Sequence, residues 1–322
     1  MSPVLSTRDL RVTFPTPAGK VLAVRGVNLD VARGEVVGIV GESGSGKSVS
    51  FLSILGLLPP SAIISGSATL DGTELIGADT KTIRSVRGKR MSMIFQDPLS
   101  ALNPVHRIGD QIVEMILAHQ SLTKQQAHDR AVELLDLVGL PQPAVRAKQY
   151  PHEFSGGMRQ RVMIAMAIAN EPDVLIADEP TTALDVTVQA QILDVLMEVK
   201  SRLNTAVVFI THDLGVIARI ADRVEVMYAG MTVERAEVND MFATPGHPYT
   251  RGLMASLPQV GRQRLQPIVG SPPNMIAPPS GCAFRPRCAE ESDECASAPM
   301  TLVRVGKTET ACVRAQSAGV SA

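Results

Sequence analysis

The stretch Gly41-Glu42-Ser43-Gly44-Ser45-Gly46-Lys47-Ser48, set between the apolar run from Glu35 to Val40 and the helix-like run from Val49 to Leu58, decides the fold. Its order is strand, glycine-rich loop, helix. Glycines accept backbone angles that other residues resist and put no side chain in the way, so successive N–H groups converge on phosphate oxygens. The helix behind the loop adds the positive end of its dipole. In this pattern Ser43, Gly44, Ser45 and Gly46 form a phosphate cradle. Lys47 reaches the β and γ phosphates, and the Ser48 hydroxyl is an oxygen ligand for a Mg²⁺ ion that bridges them.

Working outward, Leu5–Val12 and Val21–Val31 read as half-buried strands, with Ala32-Arg33-Gly34 as the turn into the loop strand. Phe14 lies between them and has two readings, an adenine-stacking ring or a core residue. Pro59-Pro60 is expected to stop the first helix, and Ser65–Leu70 with Asp71-Gly72 to form a hairpin. After the short strand Met91–Phe95 the pattern turns helical for about 75 residues. Helices are predicted at Ile108–His119, Gln125–Val138 and Gly157–Ala169, with Thr123 as an N-cap and Gly139 as a stop. Strand and helix then alternate again: Asp173–Ala177, Val188–Leu203, Ala206–Ile210, Leu214–Ile220. Two expected edge strands, Arg223–Tyr228 and Met231–Arg235, follow. The pattern predicts an α/β fold with a mostly parallel sheet covered on both faces. The expected domains are a core at 1–95 and 171–235, a helical insert at 96–170, and a C-terminal extension at 236–322 that carries all four cysteines.

Two further stretches carry chemistry. The apolar strand Val174-Leu175-Ile176-Ala177 ends in Asp178-Glu179. A nucleotide site needs one carboxylate for Mg²⁺, assigned to Asp178, and one to polarise the attacking water, assigned to Glu179. Phe154-Ser155-Gly156-Gly157-Met158 opens the third insert helix, and a serine with two glycines at a helix N-terminus is a second anion-binding geometry. It lies too far along the chain to belong to the first loop. Two such stretches make sense if two chains meet head to tail and each completes the other's site.

These residues resemble the ATP-binding-cassette ATPases over about Leu5 to Arg235. Gly41–Ser48 matches Walker A, Gln96 the Q-loop and Phe154–Met158 a variant signature. Val174–Asp178 followed by Glu179 matches Walker B, Ala183-Leu184-Asp185 the D-loop and His212 the switch histidine. The resemblance implies a P-loop NTPase core of RecA-like form with an antiparallel β edge. It implies ATP bound at Ser43–Ser48 with Phe14, Gln96 and Asp185, and capped by Ser155, Gly156 and Gly157 of a second ATPase subunit, self or paralogue. Glu179, His212 and Gln96 would be catalytic, and Ser48, Gln96 and Asp178 would hold Mg²⁺. The remaining histidines, His247 among them, read as solvated or satisfied in the core. The flanks His152–Arg161, Asp178–Gln191 and His247–Leu253 resemble the oligopeptide and dipeptide importer subfamily. That implies two transmembrane permease subunits, a periplasmic or extracellular substrate-binding protein, and a peripheral place on the cytoplasmic face of the cell inner membrane. Glutathione, nickel complexes and other small peptide-like solutes are alternative cargoes. A soluble ATPase acting on nucleic acid or ribosomes is the rival from another class.

Charge and cysteines add bounds. Thirty-one Lys and Arg against 32 Asp and Glu leave a formal charge of −1, so no electrostatic case exists for a nucleic-acid partner. No apolar run approaches the roughly 18–20 residues needed to cross a bilayer, and Met1–Arg11 lacks a signal pattern, so a cytoplasmic chain docked on a spanning partner is expected. Cys282, Cys288, Cys295 and Cys312 cluster near the C-terminus, and disulfides are not expected in that compartment. Four thiolates suit tetrahedral zinc or an iron–sulfur cluster, and spacing does not choose between them. The subfamily resemblance implies a [4Fe-4S] cluster, with Arg285 and Arg287 placed to offset its charge.

Overall fold

The computed structural model describes residues 2–182, 184–256 and 267–319. Its contacts divide into two compact units, Met1–Val4 with Ala32–Glu35 and Ala78–Phe209, and Leu5–Val31 with Val36–Gly77 and Ile210–Ala322.

The unit that holds the glycine loop has two sheets. One is antiparallel throughout, in the order Gly19–Val31, Leu5–Thr16, Ile63–Leu70, Thr73–Glu74. The other strands run Val303–Val305, Thr308–Thr310, Met231–Glu237, Arg223–Tyr228, Val36–Val40; the first three pairings are antiparallel and the last is parallel. Every residue of Val36–Val40 is buried, as expected for a strand covered on both faces. Helix Leu214–Ile220 packs on it so closely that a Cβ at Gly38 would lie 2.8 Å from Ile217.

The expectation that Arg223–Tyr228 and Met231–Arg235 are edge strands fails. Arg223–Tyr228 lies between two partners, and Met231–Glu237 pairs with Thr308–Thr310 from the C-terminal extension. Three-residue strands show no readable alternation, so the extension's covering of that edge was invisible in the sequence. The first helix also differs. It spans Lys47–Ile54 and is closed by Gly56 at φ 61°, with the Leu57 N–H donating to Leu52 O at 2.9 Å. This left-handed glycine stop ends the helix before Pro59-Pro60 is reached.

In the other unit Met91–Ile94 and Val174–Asp178 pair in parallel, and Ala206–Thr211 flanks Val174–Asp178. Helices Ile108–Leu117, Lys124–Leu137 and Gly156–Ile168 make up its helical part. Thr123 caps the second of these through a reciprocal capping box with Gln126, and Gly139 at φ 71° stops it. Among the described residues no helix is long and apolar enough to cross a membrane.

Candidate nucleotide site

The glycine loop takes its shape from three left-handed glycines, Gly41 at φ 154°, Gly44 at 78° and Gly46 at 97°. At Gly41 a Cβ would lie 2.2 Å from Met227 O, and at Gly46 2.5 Å from Ala23 O, so both need glycine for space as well as angle. The loop is tied down by the Gly230 N–H, which donates to Ser45 O at 3.0 Å. Lys47 is buried, and its ammonium donates to Gly41 O at 2.7 Å and Glu42 O at 3.0 Å. Its cation is thus held over the mouth of the loop. Ser43 and Gly44 are exposed and Ser48 is half-buried at the first turn of the helix. Phe14 sits on Leu5–Thr16 opposite Val21 and is half-buried, outside the buried core. His212 follows the buried strand Ala206–Thr211 and is exposed; Asp213 beside it caps the next helix.

The other unit gathers the carboxylates. Parallel register sets Ile94 beside Ala177, so Gln96 and Glu179 each stand two residues past a paired position. Their side chains meet, with Gln96 Nε2 donating to Glu179 Oε2 at 3.1 Å. Thr182 Oγ1 donates to the same oxygen at 2.9 Å. Glu179 adopts φ 47°, a left-handed conformation costly for a non-glycine residue, and this turns its carboxylate out of the strand direction. Asp178, one residue earlier, is buried.

Ser155 caps helix Gly156–Ile168, its hydroxyl accepting from the Met158 N–H at 3.4 Å. Buried Phe154 anchors this corner while Ser155 and Gly156 are exposed. A Cβ at Gly157 would lie 2.6 Å from Val188 Cγ1, so helix Val186–Leu203 fixes glycine there. Asp185 is exposed and caps that helix, accepting from the Val188 N–H at 2.9 Å. Ala183 of the expected D-loop lies outside the described residues.

The four cysteines carry no disulfide, and all four line one cavity with His247 and Phe284. Gly281 at φ 62° makes this possible: a Cβ there would lie 2.2 Å from Cys295 O, whose other contact is the Cys282 N–H at 2.8 Å. Burial and the neighbouring sulfurs push the Cys282 thiol up to about 11. Even so, among the described residues no three His, Cys, Asp or Glu side chains are gathered tightly enough to hold one metal ion. The thiols surround a space without closing on a single point.

Two expectations about neighbouring residues change. His247 is buried but not satisfied. Its Nδ1 accepts from the Tyr249 N–H at 3.1 Å, which leaves the proton on Nε2, and Nε2 has no hydrogen-bond partner. Burial lowers its pKa to about 3, so the ring is neutral. Arg287 does not serve the thiols. It forms a two-pronged ion pair with Glu42, at 2.7 and 3.0 Å. A carboxylate is the stronger attractor because it matches the guanidinium fork, and an interaction across 245 residues has no signature in sequence spacing.

Strand, glycine loop and helix, together with strand-end carboxylates, define a P-loop nucleotide-binding protein of the α/β type. A family model described as ABC transporter matches residues 24–182, and one described as oligopeptide/dipeptide transporter, C-terminal region, matches 233–295. An oligopeptide transport ATP-binding protein of Mycobacterium tuberculosis is 52% identical over 98% of this chain, which spans only 52% of that relative's length. The Salmonella typhimurium oligopeptide transport ATP-binding protein is 49% identical, with 92% of this chain and 89% of the relative covered. The Bacillus subtilis dipeptide transport ATP-binding protein is 50% identical, with 92% and 89% covered. A solved ATP-binding cassette, dimeric and in a post-hydrolysis state with ADP and Pi, matches with a TM-score of 0.66 at 28% identity, over 73% of this chain and 98% of that one. The chain belongs to the oligopeptide and dipeptide transport ATP-binding proteins of the ABC transporter family.

Proposed function

We propose that the chain is the ATP-hydrolysing subunit of a membrane importer of di- and oligopeptides. The observation that carries this is the Gln96–Glu179 hydrogen bond beside an exposed apolar strip. Phe95 directly precedes Gln96, and Leu99 and Val105 follow in the first ten residues of the insert, 37%, 62% and 73% exposed. A surface of this kind suits a hydrophobic partner, and we assign it to a permease subunit, so that docking reports to the hydrolytic carboxylate through Gln96.

The residue roles follow from chemistry. Ser43–Gly46 hold phosphates by backbone N–H groups and Lys47 by charge, with Phe14 as the adenine platform. Ser48, Asp178 and Gln96 supply oxygens for Mg²⁺, which neutralises charge on the transferring group. Glu179 orients and deprotonates water, and His212 donates to the departing phosphate. Ser155, Gly156 and Gly157, with Asp185, cap the nucleotide of a second ATPase subunit, a copy or a paralogue. The dimeric cassette with ADP and Pi supports this pairing. The working divisions are core 1–95 and 171–235, helical insert 96–170 and extension 236–322. The protein works on the cytoplasmic face of the inner membrane, with two permease subunits and an external substrate-binding protein.

Cys282, Cys288, Cys295 and Cys312 are the residues that would hold a [4Fe-4S] cluster. What supports the reading is that all four thiols line one cavity, a donor set whose sulfur chemistry fits a cluster. His247 lines that cavity too, with an Nε2–H that no other group accepts. The cluster's contribution is structural, a fixed point around which the extension folds.

The test is turnover by the chain with its permease in proteoliposomes. Glu179→Gln is expected to bind ATP with wild-type affinity and to lose peptide-stimulated phosphate release. Turnover unchanged by that substitution, or a basal rate that no peptide raises, would refute the assignment.

A further inference from the structure

Glu42 stands inside the glycine loop, where its negative charge faces a loop built for polyphosphate. Two residues far along the chain restrain it. Arg287 donates Nη1 to Oε2 at 2.7 Å and Nη2 to Oε1 at 3.0 Å, a fork-to-fork pair with the arginine side chain 5% exposed and the glutamate 26%. The Tyr249 hydroxyl accepts from the Glu42 backbone N–H at 2.8 Å. Glu42 is therefore pinned at its side chain and at its main chain.

The restraint is itself rigid. Arg287 Nη1 also reaches the Tyr228 hydroxyl at 3.2 Å, Nε reaches Val269 O at 3.0 Å, and Nη2 reaches Ile268 O at 3.4 Å, so every guanidinium donor faces an acceptor. Its carbon lies 5.8 Å from the ring centres of both Tyr228 and Phe284. Those rings and Tyr249 form one aromatic cluster, with centroids 4.6–5.3 Å apart. Arg287 precedes Cys288 directly, so the segment that bears the thiols ends on the loop.

We propose that Arg287 is a positioning residue for nucleotide binding, which neutralises and pins Glu42 so that loop 41–48 is held in its phosphate-accepting form. The inference rests on the reading of that loop as the nucleotide site. A glycine-rich loop has many accessible shapes, and a ligand that binds one of them loses affinity in proportion to the fraction of molecules in the others. Freeing Glu42 lowers that fraction and leaves an uncompensated carboxylate beside the incoming phosphates.

The experiment titrates the purified full chain with a fluorescent ATP analogue and Mg²⁺, comparing wild type with Lys47→Ala, Arg287→Met, Glu42→Gln and the double variant. Arg287→Met and Glu42→Gln should each weaken binding about tenfold, and the double variant should bind no worse than the weaker single, since the pair acts as one unit. Glu42→Gln leaves the cysteine segment unaltered, so its effect does not pass through a damaged extension. A merely structural arginine would lower the melting temperature and leave the dissociation constant of the folded molecules alone. Binding within twofold of wild type in either single variant, tighter binding by Glu42→Gln, or weakening in the double variant equal to the product of the singles overturns the brace. If Lys47→Ala weakens binding and the Arg287 and Glu42 variants do not, only the brace falls; if Lys47→Ala binds as wild type does, the nucleotide reading falls as well.

Discussion

Thr182→Val is the most discriminating perturbation of the hydrolytic carboxylate. Valine keeps the shape of threonine and removes only the hydroxyl that donates to Glu179 Oε2 at 2.9 Å. The turn itself survives, because the Thr182 N–H to Glu179 O bond at 3.1 Å is a main-chain contact. A hydrogen bond to a charged group contributes about 1.5–3 kcal/mol when fully formed and buried. Thr182 is exposed, so about 1 kcal/mol of orientation is the reasonable share. At RT that is about a fivefold fall in kcat. Gln96→Ala removes a second donor to that oxygen, at 3.1 Å, and because both meet one oxygen the double variant should fall by less than the product of the two. The assay is phosphate release at saturating ATP by the reconstituted transporter, with ATP affinity measured in parallel. A kcat within twofold of wild type, or an affinity that weakens in step with kcat, would show that Thr182 does not position Glu179.

Other consequences follow from single contacts. Gly157→Ala puts a methyl 2.6 Å from Val188 Cγ1, and the strain of about 1–3 kcal/mol should lower the calorimetric melting temperature by several degrees. Burial alone would lift the Asp173 carboxyl, yet ion pairs with Arg33 and Arg90, each at 2.8 Å, hold it below the ordinary carboxylate range. A depressed carboxylate stabilises above its unfolded pKa and loses that contribution as pH falls through its folded one. Asp173→Asn should therefore cost about 1 kcal/mol near pH 7 and progressively less below about pH 4 in urea titrations. Gly281→Ala forces a left-handed residue to carry a Cβ 2.2 Å from Cys295 O, and if the four thiols hold the proposed iron–sulfur cluster, iron and acid-labile sulfide in the purified chain should drop at least severalfold.

The sequence was legible wherever chemistry is local. Strand, loop and helix around Gly41–Ser48 follow from neighbouring residues, and so does the Thr123 capping box, because the partner of each group lies within a turn or two. Gln96 and Glu179 are 83 residues apart, yet each closes a short apolar strand, and parallel pairing of two such strands brings their ends together. What stayed hidden depends on pairing without pattern. His247 reads as an ordinary core histidine because nothing in its own stretch tells which atoms face it from Phe284 and the thiols. Arg287 reads as a counter-charge for the thiolates beside it in sequence, whereas its partner in space is a glutamate at the far end of the chain.

The C-terminal extension also changes what the nucleotide unit needs in order to fold. Strand Thr308–Thr310 completes the hydrogen bonding of Met231–Glu237, which would otherwise present an unpaired edge. Glu234 on that strand is fully buried, and its carboxylate accepts from the Gly246 and His247 N–H groups, the latter at 3.0 Å. Burial raises its pKa, with those main-chain donors opposing. Both main-chain donors belong to the extension, just past the strand that carries Glu234. A chain cut before residue 300 would thus leave Met231–Glu237 with an open strand edge. The extension is consequently a part of the sheet that carries the glycine loop, with the covering hairpin paired to Met231–Glu237 and Arg287 bonded to the Tyr228 hydroxyl at the end of the next strand.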